Sequence, residues 1–82
     1  MSTSANNLDQ HFKLYPNPVE EELRVSLVGF KAQSFEIKNM LGQTVIKGSY
    51  SNTIDVSKLE SGMYIIQLNI GEKTKMKRFI KE

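Results

Sequence analysis

Leu59-Glu60-Ser61-Gly62-Met63-Tyr64-Ile65-Ile66-Gln67-Leu68-Asn69-Ile70 decides how the rest of the chain is read. Tyr64, Ile66, Leu68 and Ile70 recur at every second position, with Gln67 and Asn69 between them. A period of two belongs to a strand that buries one face. Gly71-Glu72 then predicts a two-residue hairpin turn with glycine first, leading into a last strand over Lys73 to Ile80. Upstream, Ser57 to Ser61 predicts a compact crossover of one helical turn, with Leu59 pointing inward.

The same period runs outward from this stretch. Phe12 and Leu14 alternate with polar neighbours until Pro16 and Pro18 stop the strand. Leu23, Val25 and Leu27 predict a second strand, Phe35 and Ile37 a third. Asn39-Met40-Leu41-Gly42 predicts a tight hairpin, with Asn at the turn and Gly42 at positive φ in a bulge. Val45 and Ile46 carry a fourth strand, and Ile54 and Val56 a short fifth. Seven short strands and no helical period predict an all-β, antiparallel sandwich. Leu59 to Tyr64 sharpens this. A Leu that fills the core, a Gly that permits the bend and a Tyr whose hydroxyl bonds back to the crossover are features of immunoglobulin-like and fibronectin-like domains. The last strand is less regular. Met76 and Ile80 fall in phase with Arg78, leaving Phe79 out of phase. Either a bulge near Lys77-Arg78 or a partly exposed Phe79 would accommodate this.

Eighty-two residues make one small domain. A chain this short buries only about 60% of its unfolded surface. Without cysteine, neither disulfides nor thiolate metal sites are available. Residues 1–10 lack periodicity and read as a flexible tether, leaving 11–82 as the folded domain. No leader or membrane-spanning run stands in the sequence, and with such a tether the expectation is a piece of a longer exported chain. The formal net charge of +2 is too small to indicate nucleic acid. Its distribution is uneven: residues 73–82 hold Lys73, Lys75, Lys77, Arg78 and Lys81 against Glu82. Such a strip suits an acidic partner, or protects a sheet edge from aggregation.

The chain offers little for catalysis. His11 has only Asp9 and Gln10 near it in sequence, with no nucleophile held beside it. Consecutive Glu20, Glu21 and Glu22 splay to alternate faces of a strand and do not converge on a cation. Asp55 and Glu60 read as turn and surface residues. The five glycines are spread among turns, so there is no phosphate loop. Met1, Met40, Met63 and Met76 show no common stripe. The expectation is a protein that is not an enzyme and uses no cofactor or metal.

Tyr15-Pro16-Asn17-Pro18 remains. Two prolines remove two backbone donors and restrict the residues before them, giving a stiff elbow. Such a pre-shaped element is cheap for a receptor to bind. With Asn39 to Gly42, Ile54-Asp55-Val56-Ser57-Lys58-Leu59, Gly62 to Tyr64 and Phe79-Ile80-Lys81, it resembles the C-terminal sorting domain of the type IX secretion system (type A, Por secretion system family). The resemblance spans about residues 12–82. It implies an immunoglobulin-like domain fused to the C-terminus of a cargo protein in a Gram-negative bacterium. The cargo would pass from the periplasm through an outer-membrane translocon. A shuttle protein and a sortase-like peptidase at the cell surface would then act, and the domain would be removed. Carried over, the recognition positions are Pro16, Asn17, Pro18, Gly62, Tyr64, Lys75, Lys77 and Lys81, with Asn39, Gly42 and Leu59 as structural positions. Cleavage would fall before Phe12, within Ser2 to Asn7. The competing expectation is an immunoglobulin-like accessory module that binds a glycan or protein; a structural spacer is a third. The free edge of the last strand would suit self-association or strand addition.

Overall fold

The computed structural model describes residues 12–82. The expected tether, His11 and the cleavage stretch lie outside the described residues. Seven strands are present: β1 Phe12–Tyr15, β2 Glu22–Leu27, β3 Ser34–Lys38, β4 Thr44–Ser49, β5 Thr53–Asp55, β6 Gly62–Ile70 and β7 Lys73–Lys81. They form a three-stranded sheet, β1-β2-β5, and a four-stranded sheet, β4-β3-β6-β7. Every pairing between these strands is antiparallel. The all-β sandwich expected from the sequence is present, and its topology is compatible with an immunoglobulin-like arrangement.

The period-two residues make the core. Phe12, Leu23, Val25 and Ile54 face inward from one sheet, and Phe35, Ile37, Tyr64, Ile66, Leu68 and Phe79 from the other. Val19 and Val56, just outside the strands, complete it. Burying one such side chain contributes about 1.5–3 kcal/mol, so the domain depends on a short set of residues.

Several local expectations change. The segment from Ser57 to Ser61 contains no helix; a single turn bond, Leu59 N–H to Val56 C=O at 3.0 Å, shapes it. Leu59 still packs against the core. The register between β3 and β4 shifts after Ile37, because Ile37 faces Ile46 while Lys38 faces Thr44. Val45 is the extra residue there, in addition to Gly42, which takes the expected positive φ where Asn39 bonds both Gly42 and Gln43.

The largest correction concerns β7. Its register against β6 is continuous from Gly62–Lys81 to Ile70–Lys73, with no bulge. Phe79 is 1% exposed and opposite Tyr64. Phe79 and Lys81 are buried on the core side, Lys75 and Lys77 are half-buried, and Met76 and Ile80 are exposed. Two of the three large apolar residues of this strand, Met76 and Ile80, are therefore outward, and only Phe79 is inward. A lysine can lie inward at a sandwich margin because its methylene stem covers apolar surface while the ammonium reaches the rim.

Candidate functional site

The Pro-Asn-Pro elbow carries the chain from the end of β1 toward the other sheet. Its two X-Pro bonds, Tyr15–Pro16 and Asn17–Pro18, are cis. Pro16, Asn17 and Pro18 are all exposed. Immediately after them, Val19 is fully buried and forms a parallel bridge with Lys81. Three hydrogen bonds fix this junction. Ile80 N–H donates to Asn17 Oδ1 at 3.0 Å, Val19 N–H to Ile80 C=O at 2.8 Å, and Glu82 N–H to Val19 C=O at 2.8 Å. The elbow thus closes the outer edge of β7 over its last residues.

The start of β6 lies against the same end of β7. Gly62 is opposite Lys81 and adopts φ 154°, a region that side chains disfavour. Tyr64 stacks on Phe79 with centroids 5.8 Å apart. Its hydroxyl donates to the Glu60 carbonyl at 2.7 Å, so the expected return bond to the crossover is made. A buried tyrosine needs such a partner for its polar tip. Lys81 is buried, and its Nζ donates to the Glu82 carbonyl oxygen at 3.1 Å.

Farther along β7, the lysines lie over aromatic rings. Lys75 Nζ is 4.7 Å from the centre of Phe30, and Lys77 Nζ is 5.8 Å from the centre of Phe12. These cation–π contacts connect the edge of one sheet to residues at the margin of the other. The hairpin residues are elsewhere. Asn39 Oδ1 accepts from Leu41 N–H at 2.9 Å and Gln43 N–H at 3.0 Å, while Gly42 sits at φ 86°. That turn joins β3 to β4, on the far side of β6 from the last strand.

The structure therefore brings together Pro16, Asn17, Pro18, Gly62, Tyr64 and Lys81 at one end of the sandwich. Lys75 and Lys77 extend from it along β7, with Leu59 in the adjoining crossover. Asn39 and Gly42 stand apart in their own turn. Sequence reasoning missed Val19, whose only signal was an apolar residue directly after the second proline. It also missed the methionines: Met63 and Met76 share the outer face of β6 and β7, and Met40 lines the same groove as Met76.

Among the described residues, no group of three or more His, Asp or Glu converges to hold a metal ion. Asp55 accepts from Ser57 N–H at 2.9 Å, and this hydrogen bonding holds its carboxyl below the usual range. It is a turn fixture fully open to solvent, consistent with its expected role.

The fold is a small all-β sandwich whose elbow closes on a basic last strand. A family model described as a secretion system C-terminal sorting domain matches residues 13–82. The chain belongs to that family. It is a C-terminal sorting signal of type IX secretion, which implies an attached cargo and export across the outer membrane to the surface or beyond. No curated protein matches the chain.

Proposed function

We propose that residues 11–82 carry a fused N-terminal cargo through the outer-membrane translocon with the help of a shuttle protein. A sortase-like peptidase then removes the domain by cutting before Phe12, within Ser2 to Asn7. The elbow and the last strand form the surface that the machinery reads. The observation that supports this is their junction at Asn17, Val19 and Ile80. Two segments 63 residues apart become one exposed element, with the rigid prolines outside and the bonding inside. A rigid element loses little freedom when bound. Pro16, Asn17, Pro18, Gly62, Tyr64, Lys75, Lys77 and Lys81 take part in or support it, and Asn39, Gly42 and Leu59 keep the scaffold.

An accessory glycan module would need aromatic rings on one open face. Among the described residues, the exposed aromatics are Tyr15 and Phe30, and Phe30 is covered by Lys75. No observation favours that reading.

The test attaches the full chain to the C-terminus of a fluorescent protein that carries a signal peptide. It is expressed in a bacterium with type IX secretion and in a secretion-deficient strain. Surface fluorescence in the first strain alone is expected. Fluorescence retained in the periplasm of both, with the domain shown folded, would overturn the proposal.

A further inference from the structure

The outer face of the four-stranded sheet is divided. In its middle, Lys38, Gln67, Asn69 and Ser34 satisfy one another through side-chain hydrogen bonds of 2.8, 3.1 and 3.4 Å. Beside β7 the face is apolar. Met63 stands opposite Ile80, Ile65 opposite Arg78, and Met76 next to them is 63% exposed. Met40, Ile65, Met76 and Arg78 line an open groove of about 370 Å³ there.

The adjoining backbone is open as well. In an antiparallel strand, residues alternately direct both backbone polar groups to one side and to the other. Ile80 directs its N–H and C=O to the elbow, away from β6. Since the register has no bulge, Thr74, Met76 and Arg78 do the same. Among the described residues nothing pairs with these outward groups. The unpaired edge ends at a fixed stop where Asn17 and Val19 occupy Ile80.

We propose that the Thr74–Arg78 edge accepts an extended, carboxylate-bearing segment of a partner protein as an added strand. This deepens the sorting reading and rests on it for its biological setting alone. Charge selects the occupant. Lys73, Lys75, Lys77 and Arg78 crowd the edge, and no acidic residue stands between positions 73 and 81. A second copy of β7 would place like charges opposite one another, which is unfavourable in paired strands. An acidic segment meets the opposite sign. The alternation within β7 sets the pattern: carboxylates beside Lys75 and Lys77 on the inner face, apolar side chains beside Met76 on the outer one. Main-chain bonds supply affinity and alternate side chains supply choice, as in other strand additions.

The experiment titrates the isotopically labelled full chain with a capped peptide that alternates Glu and Val. Amide signals and hydrogen exchange are followed by NMR. Slowed exchange at Thr74, Met76 and Arg78 is expected, with binding weakened about tenfold or more by a Lys-for-Glu peptide. A peptide with a central Pro should also bind at least about tenfold more weakly, because it lacks a needed donor. Met76→Pro should remove binding while preserving the pairing with β6, since that N–H points outward. Should that variant fail to fold, Arg78→Glu supplies the check: about tenfold weaker binding of the Glu peptide. Equal binding of the Lys peptide, unchanged amides at 74–78, or the same signals arising by self-association without peptide would overturn the inference. It fails separately from the sorting reading. Strand addition in a domain that delivers no cargo overturns sorting alone; cargo delivery with no protection of 74–78 by peptide overturns strand addition alone.

Discussion

Asn39 and Asn17 both accept backbone hydrogen bonds at turns, but they reach very different distances along the chain. Asn39 bonds two and four residues ahead, and Asn17 bonds 63 residues ahead. The Asn39 turn contains its own instructions: side chain, Gly42 and the flanking strands are contiguous. The elbow contains only half of its instructions. Its prolines shape the bend, but Asn17 and Val19 have partners only once β7 is in place. One asparagine therefore helps a hairpin start, whereas the other records that the sandwich has closed. A receptor that reads the elbow would thereby read completion of the fold.

The largest effect should separate an apolar residue of each region. Val19→Ala in the elbow should lower stability by about 2–3 kcal/mol, because a fully buried side chain leaves a cavity. Leu41→Ala in the hairpin should change it by about 0.5 kcal/mol or less, since Leu41 is 84% exposed. Urea unfolding of both variants checks this, and equal losses would break the comparison. Next come the backbones. Gly42→Ala should cost about 1–2 kcal/mol because φ 86° suits glycine. Its midpoint of thermal unfolding should fall while the elbow signals stay in place.

Removing each asparagine sharpens the contrast further. Asn17→Ala and Asn39→Ala should each cost about 1 kcal/mol. Hydrogen exchange should locate the loss differently: at Ile80 for the first, and at Leu41 and Gln43 for the second. Exchange that rises only near position 17 in the first variant would refute the long-range bond. The smallest effect is one of pH. Hydrogen bonds from Ser57 lower the Asp55 pKa below its ordinary 3.8. A lowered folded value means that the stabilisation is present above 3.8 and fades as pH falls through the folded value. An acid titration of stability should therefore show a slightly weaker decline for Asp55→Ala than for the native chain.

Much of the scaffold was legible because local chemistry decides it. Alternating apolar residues placed β1, β2, β3, β5 and β6, turn residues framed β4 and β7, and Tyr64 with Gly62 marked the corner before β6. The Asn39 turn was legible for the same reason. The orientation of β7 was not. Alternation identifies two faces, but hydropathy assigned the wrong one to the core, since Lys75, Lys77 and Lys81 outnumber Phe79 on the buried side. Lysine stems and nearby rings make that side compatible with burial, and a linear pattern contains neither. Val19 and the clustered methionines escaped for a related reason. Their meaning comes from β7, which lies next to them only after folding. At the candidate site, Pro16, Asn17 and Pro18 stood out in the sequence, but Val19 and the meeting point with β7 did not.

The parallel bridge between Val19 and Lys81 also has a mechanical consequence. When the two ends of a chain are drawn apart, a parallel pair of terminal segments slides lengthwise and does not peel open. The three bonds at Asn17, Val19 and Glu82 would bear that tension together, so rupture needs them to break nearly at once. Cargo towed by this domain pulls on its N-terminal side. The elbow is thus a shear lock behind β1, holding the rest of the fold to β7 once β1 has been pulled from β2.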